Sequence, residues 1–126
     1  MESANTTKPI QSYEDLDVYQ RSMALIRPIH DAVRRFPEFE QRDIVQQMRR
    51  ASKSVPTNIA EGFSKRRSAK EFKAYLAHAL GSGNEMLVHL AVAQELGYLS
   101  NEEASQLMEG YNVVCRQLNR LMQRWQ

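Results

Sequence analysis

Apolar residues recur along this chain at helical intervals, punctuated by proline, glycine and residues that cap helices. From Tyr13 onward, Leu16, Tyr19, Met23, Ile26 and Val33 fall three, four or seven positions apart, the stripe of an amphipathic helix. Phe36-Pro37 predicts its end, because a residue before proline is steered away from helical backbone. Pro28 lies inside this helix, where it removes one backbone donor and predicts a kink. A second helix is expected from about Phe39. It carries Ile44, Met48, Ala51, Val55 and Ile59 on one face, and Arg42, Gln46, Arg49 and Lys53 elsewhere on its circumference. Pro56 is expected to interrupt it, and Gly62 to end it.

The third helix has the clearest start signal: Ser68 followed three residues later by Glu71, the pattern of a capping box. Its stripe runs Phe72, Tyr75, Ala79, Gly83, Met86, Leu90 and Ala93 to a stop at Gly97, a helix of roughly 30 residues, or about 45 Å. Ser100 or Asn101 caps the fourth, with Glu102 and Glu103 in the first turn, where the helix dipole favours negative charge. Its stripe is Ala104, Leu107, Tyr111, Val114, Leu118, Leu121 and Trp125, alternating steps of three and four. Near-heptad stripes and short connections predict an all-α, antiparallel up-down-up-down four-helix bundle. The polar, aperiodic residues 1–12 read as a flexible N-terminal arm, and 13–126 as the bundle domain.

Composition agrees with this division. In 126 residues, 42% hydrophobic and 25% charged, there is room for one ordinary domain and none for a second. The lone Cys115 cannot form an internal disulfide, and no apolar leader-like run opens the chain, so a cytoplasmic location is expected. The longest uncharged stretch, Ala74 to Asn84, is 11 residues and falls well short of the roughly 20 apolar residues of a membrane helix. No membrane association is expected.

Charge changes the picture more than composition does. The net charge is only +2, but the segment from Arg42 to Lys73 holds nine basic residues against three acidic ones. That segment is +6 and the remainder −4, a segregation suited to an acidic partner.

The run QMRRASKSVPTNIAEGF, from Gln47 to Phe63, sets Pro56, Asn58 and Glu61 inside a helical stretch, which is unusual for a plain bundle. Asp15-Leu16-Asp17-Val18-Tyr19, Phe36-Pro37, Glu71-Phe72, Gly81-Ser82 with Glu85, and Leu96-Gly97-Tyr98-Leu99 accompany it in order. In these features the chain resembles the four-helix-bundle family encoded in intervening sequences of bacterial 23S ribosomal RNA genes, over roughly residues 13 to 123. That family is similar to the accessory variability determinant of diversity-generating retroelements, a ring of five bundles with a basic surface that binds a reverse transcriptase and nucleic acid. The resemblance implies a homopentamer, a nucleic-acid role and a nucleic-acid-processing protein as a further partner. Pro28, and Lys65 where arginine is common, depart from the family pattern.

Other chemistry is poorly supported. Asn58 and Glu61 share a helix face, and with Arg50, Ser82 and Glu85 they are expected to form a buried polar network that fixes register or a subunit interface; a ligand site is the lesser reading. Gly81-Ser82-Gly83 predicts the close approach of another helix, since it lacks the strand and lysine of a phosphate loop. His78 and His89 lie about 16 Å apart along one helix, too far to share an ion, so no metal or other cofactor is expected. No base is placed beside Cys115 and no serine elbow occurs, so the chain reads as a non-enzymatic binding protein. The clustered charge together with the resemblance nominates Arg49, Lys53, Lys65, Arg66, Arg67, Lys70 and Lys73 as phosphate contacts to RNA or DNA. A protein-interaction scaffold with no nucleic-acid role is the alternative.

Overall fold

The computed structural model describes residues 9–125, so positions 1–8 of the expected arm and Gln126 lie outside the described residues. Four helices carry the fold: α1 (Asp17–Val33), α2 (Ile44–Phe63), α3 (Ala69–Glu95) and α4 (Asn101–Arg124). Short 3-10 turns at Tyr13–Asp15 and Glu38–Glu40 precede α1 and α2, and no strand occurs among the described residues. Each helix packs against its sequence neighbours, and α1 closes the set against α4. One core results, filled by side chains such as Tyr111, Phe72, Ile29, Met48, Ile59 and Leu76.

The helix ends follow from local chemistry. Ser68 Oγ accepts the Glu71 amide at 3.2 Å, and Ser100 Oγ accepts that of Glu103 at 3.1 Å, so each relieves an amide with no partner inside its helix. At the far end of α3, Gly97 takes φ +79°, a left-handed conformation that glycine adopts without strain. The Tyr98 amide then donates to Ala93 O at 2.9 Å and the Gly97 amide to Gln94 O at 3.1 Å, the paired bonds of a Schellman stop. Residue Phe39 does not start α2. It sits in the 3-10 turn after Pro37, 76% exposed, and the helix begins five residues later.

The apolar stripes of α2, α3 and α4 lie in the core as their periodicity predicts, with only Tyr75, Leu107, Leu121 and Trp125 half-buried. The first helix differs. Leu16 and Val33 of the expected stripe are buried, but between them the core face is Val18, Ser22, Ile29 and Ala32 with Leu25 packed alongside, whereas Met23 is 45% exposed and Tyr19 and Ile26 are half-buried. α1 therefore carries two apolar stripes, about one residue apart around its circumference, and the core took the one with the smaller side chains.

The two internal prolines do not break their helices. α1 runs through the exposed Pro28 and α2 through the buried Pro56. Around Pro56, side chains supply donors to nearby carbonyls: Ser52 Oγ to Arg49 O at 2.9 Å, Thr57 Oγ1 to Lys53 O at 2.8 Å, and Asn58 Nδ2 to Ser54 O at 2.9 Å. The donor that Pro56 lacks would have gone to Ser52 O, and these bonds go to the carbonyls on either side of it.

Within the expected Gly81-Ser82-Gly83, close helix approach occurs at Gly83, and it occurs also at Gly62 and Gly110. A Cβ on Gly62 would stand 2.6 Å from Tyr75 Cβ, one on Gly83 2.9 Å from Cys115 Sγ, and one on Gly110 2.6 Å from Leu25 Cδ2. Gly81 faces open space. Gly62→Ala should therefore destabilise the fold by roughly 1–3 kcal/mol through overpacking, while Gly81→Ala should stabilise it by up to about 1 kcal/mol through helix propensity. Chemical denaturation at one fixed protein concentration checks the opposite signs. The fully buried Tyr111 hydroxyl has no hydrogen-bond partner, and burial pushes its pKa upward. Tyr111→Phe is expected to leave stability unchanged or raise it by about 1 kcal/mol, because an unsatisfied polar atom is removed. A loss above about 1 kcal/mol in the same assay would contradict this.

Candidate nucleic-acid interface

Five of the seven nominated basic residues meet at the connection from α2 to α3. After Phe63 the chain winds tightly: the Ser64 amide donates to Ala60 O at 3.3 Å, Lys65 to Gly62 O at 2.9 Å, Arg66 to Phe63 O at 3.2 Å and Ser68 to Lys65 O at 3.0 Å. This winding leaves Lys65, Arg66 and Arg67 exposed at the turn, with exposed Lys70 and half-buried Lys73 on the first turns of α3.

Aromatic packing supports the turn from below. The rings of Phe63 and Phe72 meet edge to face at 6.1 Å, and Phe72 meets Trp125, from the end of α4, at 4.7 Å. Arg66 lies over the Phe63 ring with its guanidinium carbon 4.0 Å from the centroid, and its Nη1 donates to Phe63 O at 3.0 Å. Arg66 thus has two tasks: it caps a carbonyl at the end of α2 and it presents a cation held by a ring face. The fixed Arg66 stands between two freer cations, Lys65 and Arg67.

Arg49 and Lys53 form a separate group. They line a shallow strip on the outer side of α2 with Gln46, Arg50, Ser54 and Thr57. Lys53 lies about 15 Å along the axis from the helix end at Phe63. The seven residues therefore make two positive areas on one chain, a turn cluster and a mid-helix pair. Among the described residues the ion pairs join Arg35 to Glu103 at 2.5 Å, Glu85 to His89 at 3.0 Å and Arg116 to Glu109 at 3.5 Å. The first of these holds the Glu103 carboxyl below its ordinary range through the hydrogen bond from Arg35. None of these engages the nine basic residues from Arg42 to Lys73.

The expected five-residue polar network is not assembled within the chain. Asn58 Nδ2 donates to Ser54 Oγ at 3.0 Å, and Ser82 Oγ donates to the same oxygen at 2.9 Å, so Ser54 joins α2 to α3. Arg50, Glu61 and Glu85 are exposed, and Glu85 turns to His89 instead. The reason is angular. Ser54 and Asn58 are four apart and share the side of α2 that meets α3, whereas Glu61 is rotated toward α1 and Arg50 toward solvent. Spacing could have found Ser54, because it occupies the position one turn before Asn58.

The remaining reactive side chains are occupied structurally. Cys115 is buried, its Sγ lies 3.6 Å from Asn84 Oδ1, and burial pushes its thiol pKa up, away from the nucleophilic thiolate. His30 Nδ1 lies 2.9 Å from Ile26 O. Among the described residues no group of three or more His, Cys, Asp and Glu side chains is placed to hold a metal ion, and no helix is long and apolar enough to cross a membrane.

No curated protein matches the sequence. The family model of the 23S rRNA-intervening sequence protein matches residues 14–120, from the turn before α1 into the last turns of α4, and so spans the basic turn and the Ser54 junction. The chain belongs to the 23S rRNA-intervening sequence protein family.

Proposed function

We propose that this chain is a non-enzymatic binding protein that assembles as a ring-shaped homopentamer of antiparallel up-down-up-down bundles and associates with RNA or DNA through a basic surface. The observation that carries the reading is the α2–α3 turn, where Lys65, Arg66, Arg67, Lys70 and Lys73 cluster without ion pairs on a packed aromatic base. Membership of the 23S rRNA-intervening sequence protein family is consistent with a nucleic-acid association. Repetition around a ring multiplies the cluster into a positive face, which raises the local concentration of phosphate polymer. Recognition is of backbone charge, since nothing at the turn offers a helix for a groove or a row of exposed rings for bases. Arg50, Glu61 and Glu85, exposed on the single chain, are then available to a subunit interface.

A second reading, a protein-interaction scaffold in the cytoplasm with no nucleic-acid role, is favoured by Phe39, an aromatic ring 76% exposed between α1 and α2. Titration of labelled RNA and DNA across a salt series separates the two. Wild type should bind with strong salt dependence, and Lys65→Ala/Arg66→Ala/Arg67→Ala should lessen the slope of log K on log salt by about 0.9 per lost duplex contact, or about 0.7 for single strands. Identical titrations for wild type and variant would remove the turn from the reading. Arg66→Ala alone should also lower thermal stability, because it releases Phe63 and a helix-terminal carbonyl, whereas Lys65→Ala and Arg67→Ala should not.

A further inference from the structure

Two helices carry more apolar surface than the core uses. The core-facing side of α3 is complete with Phe72, Leu76, Ala79, Met86, Leu90 and Ala93. Its outer side still presents Val88 at 61% exposure, Leu96 at 52%, and exposed Ala91 and Val92 between them. Together with Leu87 and Glu95 these residues form one continuous surface, which exposed Asn84 and Glu85 bound on the side toward the helix start. The second surplus is the unused stripe of α1. Tyr19, Met23 and Ile26 line a groove with Pro56 and Ala60 of α2, closed at one end by Tyr13, whose ring meets that of Tyr19 at 4.9 Å.

The two surfaces differ in form. One lies on a single helix and is lined by small and branched side chains; the other is a groove between two helices. They belong to α1 and α3, which stand at opposite corners because each packs against α2 and α4. Two different apolar surfaces on opposite sides of one chain suit a head-to-tail contact, and such a contact gives a ring where the rotation between neighbours closes and an open filament where it does not. Glu95 borders the α3 face, and Lys53 and Glu61 border the groove, so the groove holds one cation that Glu95 could meet.

Coverage favours the same occupant. The continuous α3 surface runs from Leu87 to Leu96, about 14 Å along the axis. A symmetric dimer through α3 alone would leave the groove of both chains in water. A repeated α3-to-groove contact covers both surfaces on every chain.

We propose that the outer face of α3 docks into the α1–α2 groove of a second copy of this chain, and that repetition of this contact builds the ring. The inference rests on the proposed self-assembly and names the surfaces that make it. The residues that helical spacing on α1 assigned to a core then do enter one, between subunits.

The test is light scattering on wild type, Val88→Glu/Val92→Glu and Met23→Glu, with helicity followed by circular dichroism. Wild type should be oligomeric and each variant a folded monomer. An equimolar mixture of the two variants should form a one-to-one complex, since one chain keeps an intact α3 face and the other an intact groove. A monomeric wild type would overturn the assembly reading and this inference together. An oligomeric wild type whose variants keep its size would overturn the inference alone, as would variants that dissociate but stay monomeric when mixed. Should a glutamate variant unfold, Ala91→Cys and Ala60→Cys chains, mixed and treated with a short bis-maleimide, decide the matter. A covalent product between the two chain types, absent from either alone, supports the contact, and its absence overturns it.

Discussion

The contact of α2 with α3 at Gly62 is the constraint on which the basic turn depends. A side chain there would collide with Tyr75 at its Cβ and with the edge of Phe72, so only a missing Cβ lets the helices meet this near their connection. That closeness brings Phe63 to Phe72, and Phe72 to Trp125, so elements far apart in sequence share one aromatic cluster. A turn of five residues with three consecutive cations would otherwise be expected to fray, because like charges repel and exposed backbone is easily opened. Here ring packing, the Arg66 contact and the Ser68 cap hold it from both sides.

The same two helices are joined again half-way along by hydroxyl and amide groups. Ser54, Asn58 and Ser82 are uncharged, so their burial carries none of the large desolvation cost of an ion pair, yet their directional bonds fix the register of α2 against α3. Asn58 also donates to a carbonyl near Pro56. One residue thus bonds both its own helix and the junction between helices.

Most of the fold was legible in the sequence, and the exceptions share a cause. Periodicity found the faces of α2, α3 and α4, because each of those helices has one run of core residues whose spacing stays on one side. On α1 it found Leu16 and Val33, which are buried, but between them it chose Tyr19, Met23 and Ile26, which outweigh Val18, Ser22 and Ala32 in hydrophobicity although the latter are the more buried. Periodicity measures the apolar content of a stripe; the choice between stripes is made by the space that the other three helices leave. The polar network failed for a related reason. Spacing put Asn58 and Glu61 on one broad face, but the 60° between them separates the side toward α3 from the side toward α1. Arg66 and Trp125 were visible as a cation and an apolar residue, while their joint support of the turn depends on long-range packing that spacing does not encode.

Charge sets a condition on the proposed assembly. Each chain brings a segment of +6, and five such segments on one ring would oppose closure if they felt one another fully. At physiological ionic strength the screening length is about 8 Å, whereas bundles two helices across are about 20 Å wide, so neighbouring turns are separated by more than the distance over which surface charges interact strongly. Apolar burial between subunits is not screened in this way. Closure therefore meets little electrostatic opposition in salt and more as salt is lowered, while phosphate binding strengthens over the same range through counterion release. A nucleic acid lying across several turns would supply the neutralisation that dilute salt withdraws. On the proposed assembly, ring closure and phosphate binding would be linked, with the polymer favouring the closed ring most strongly where the ring alone is weakest.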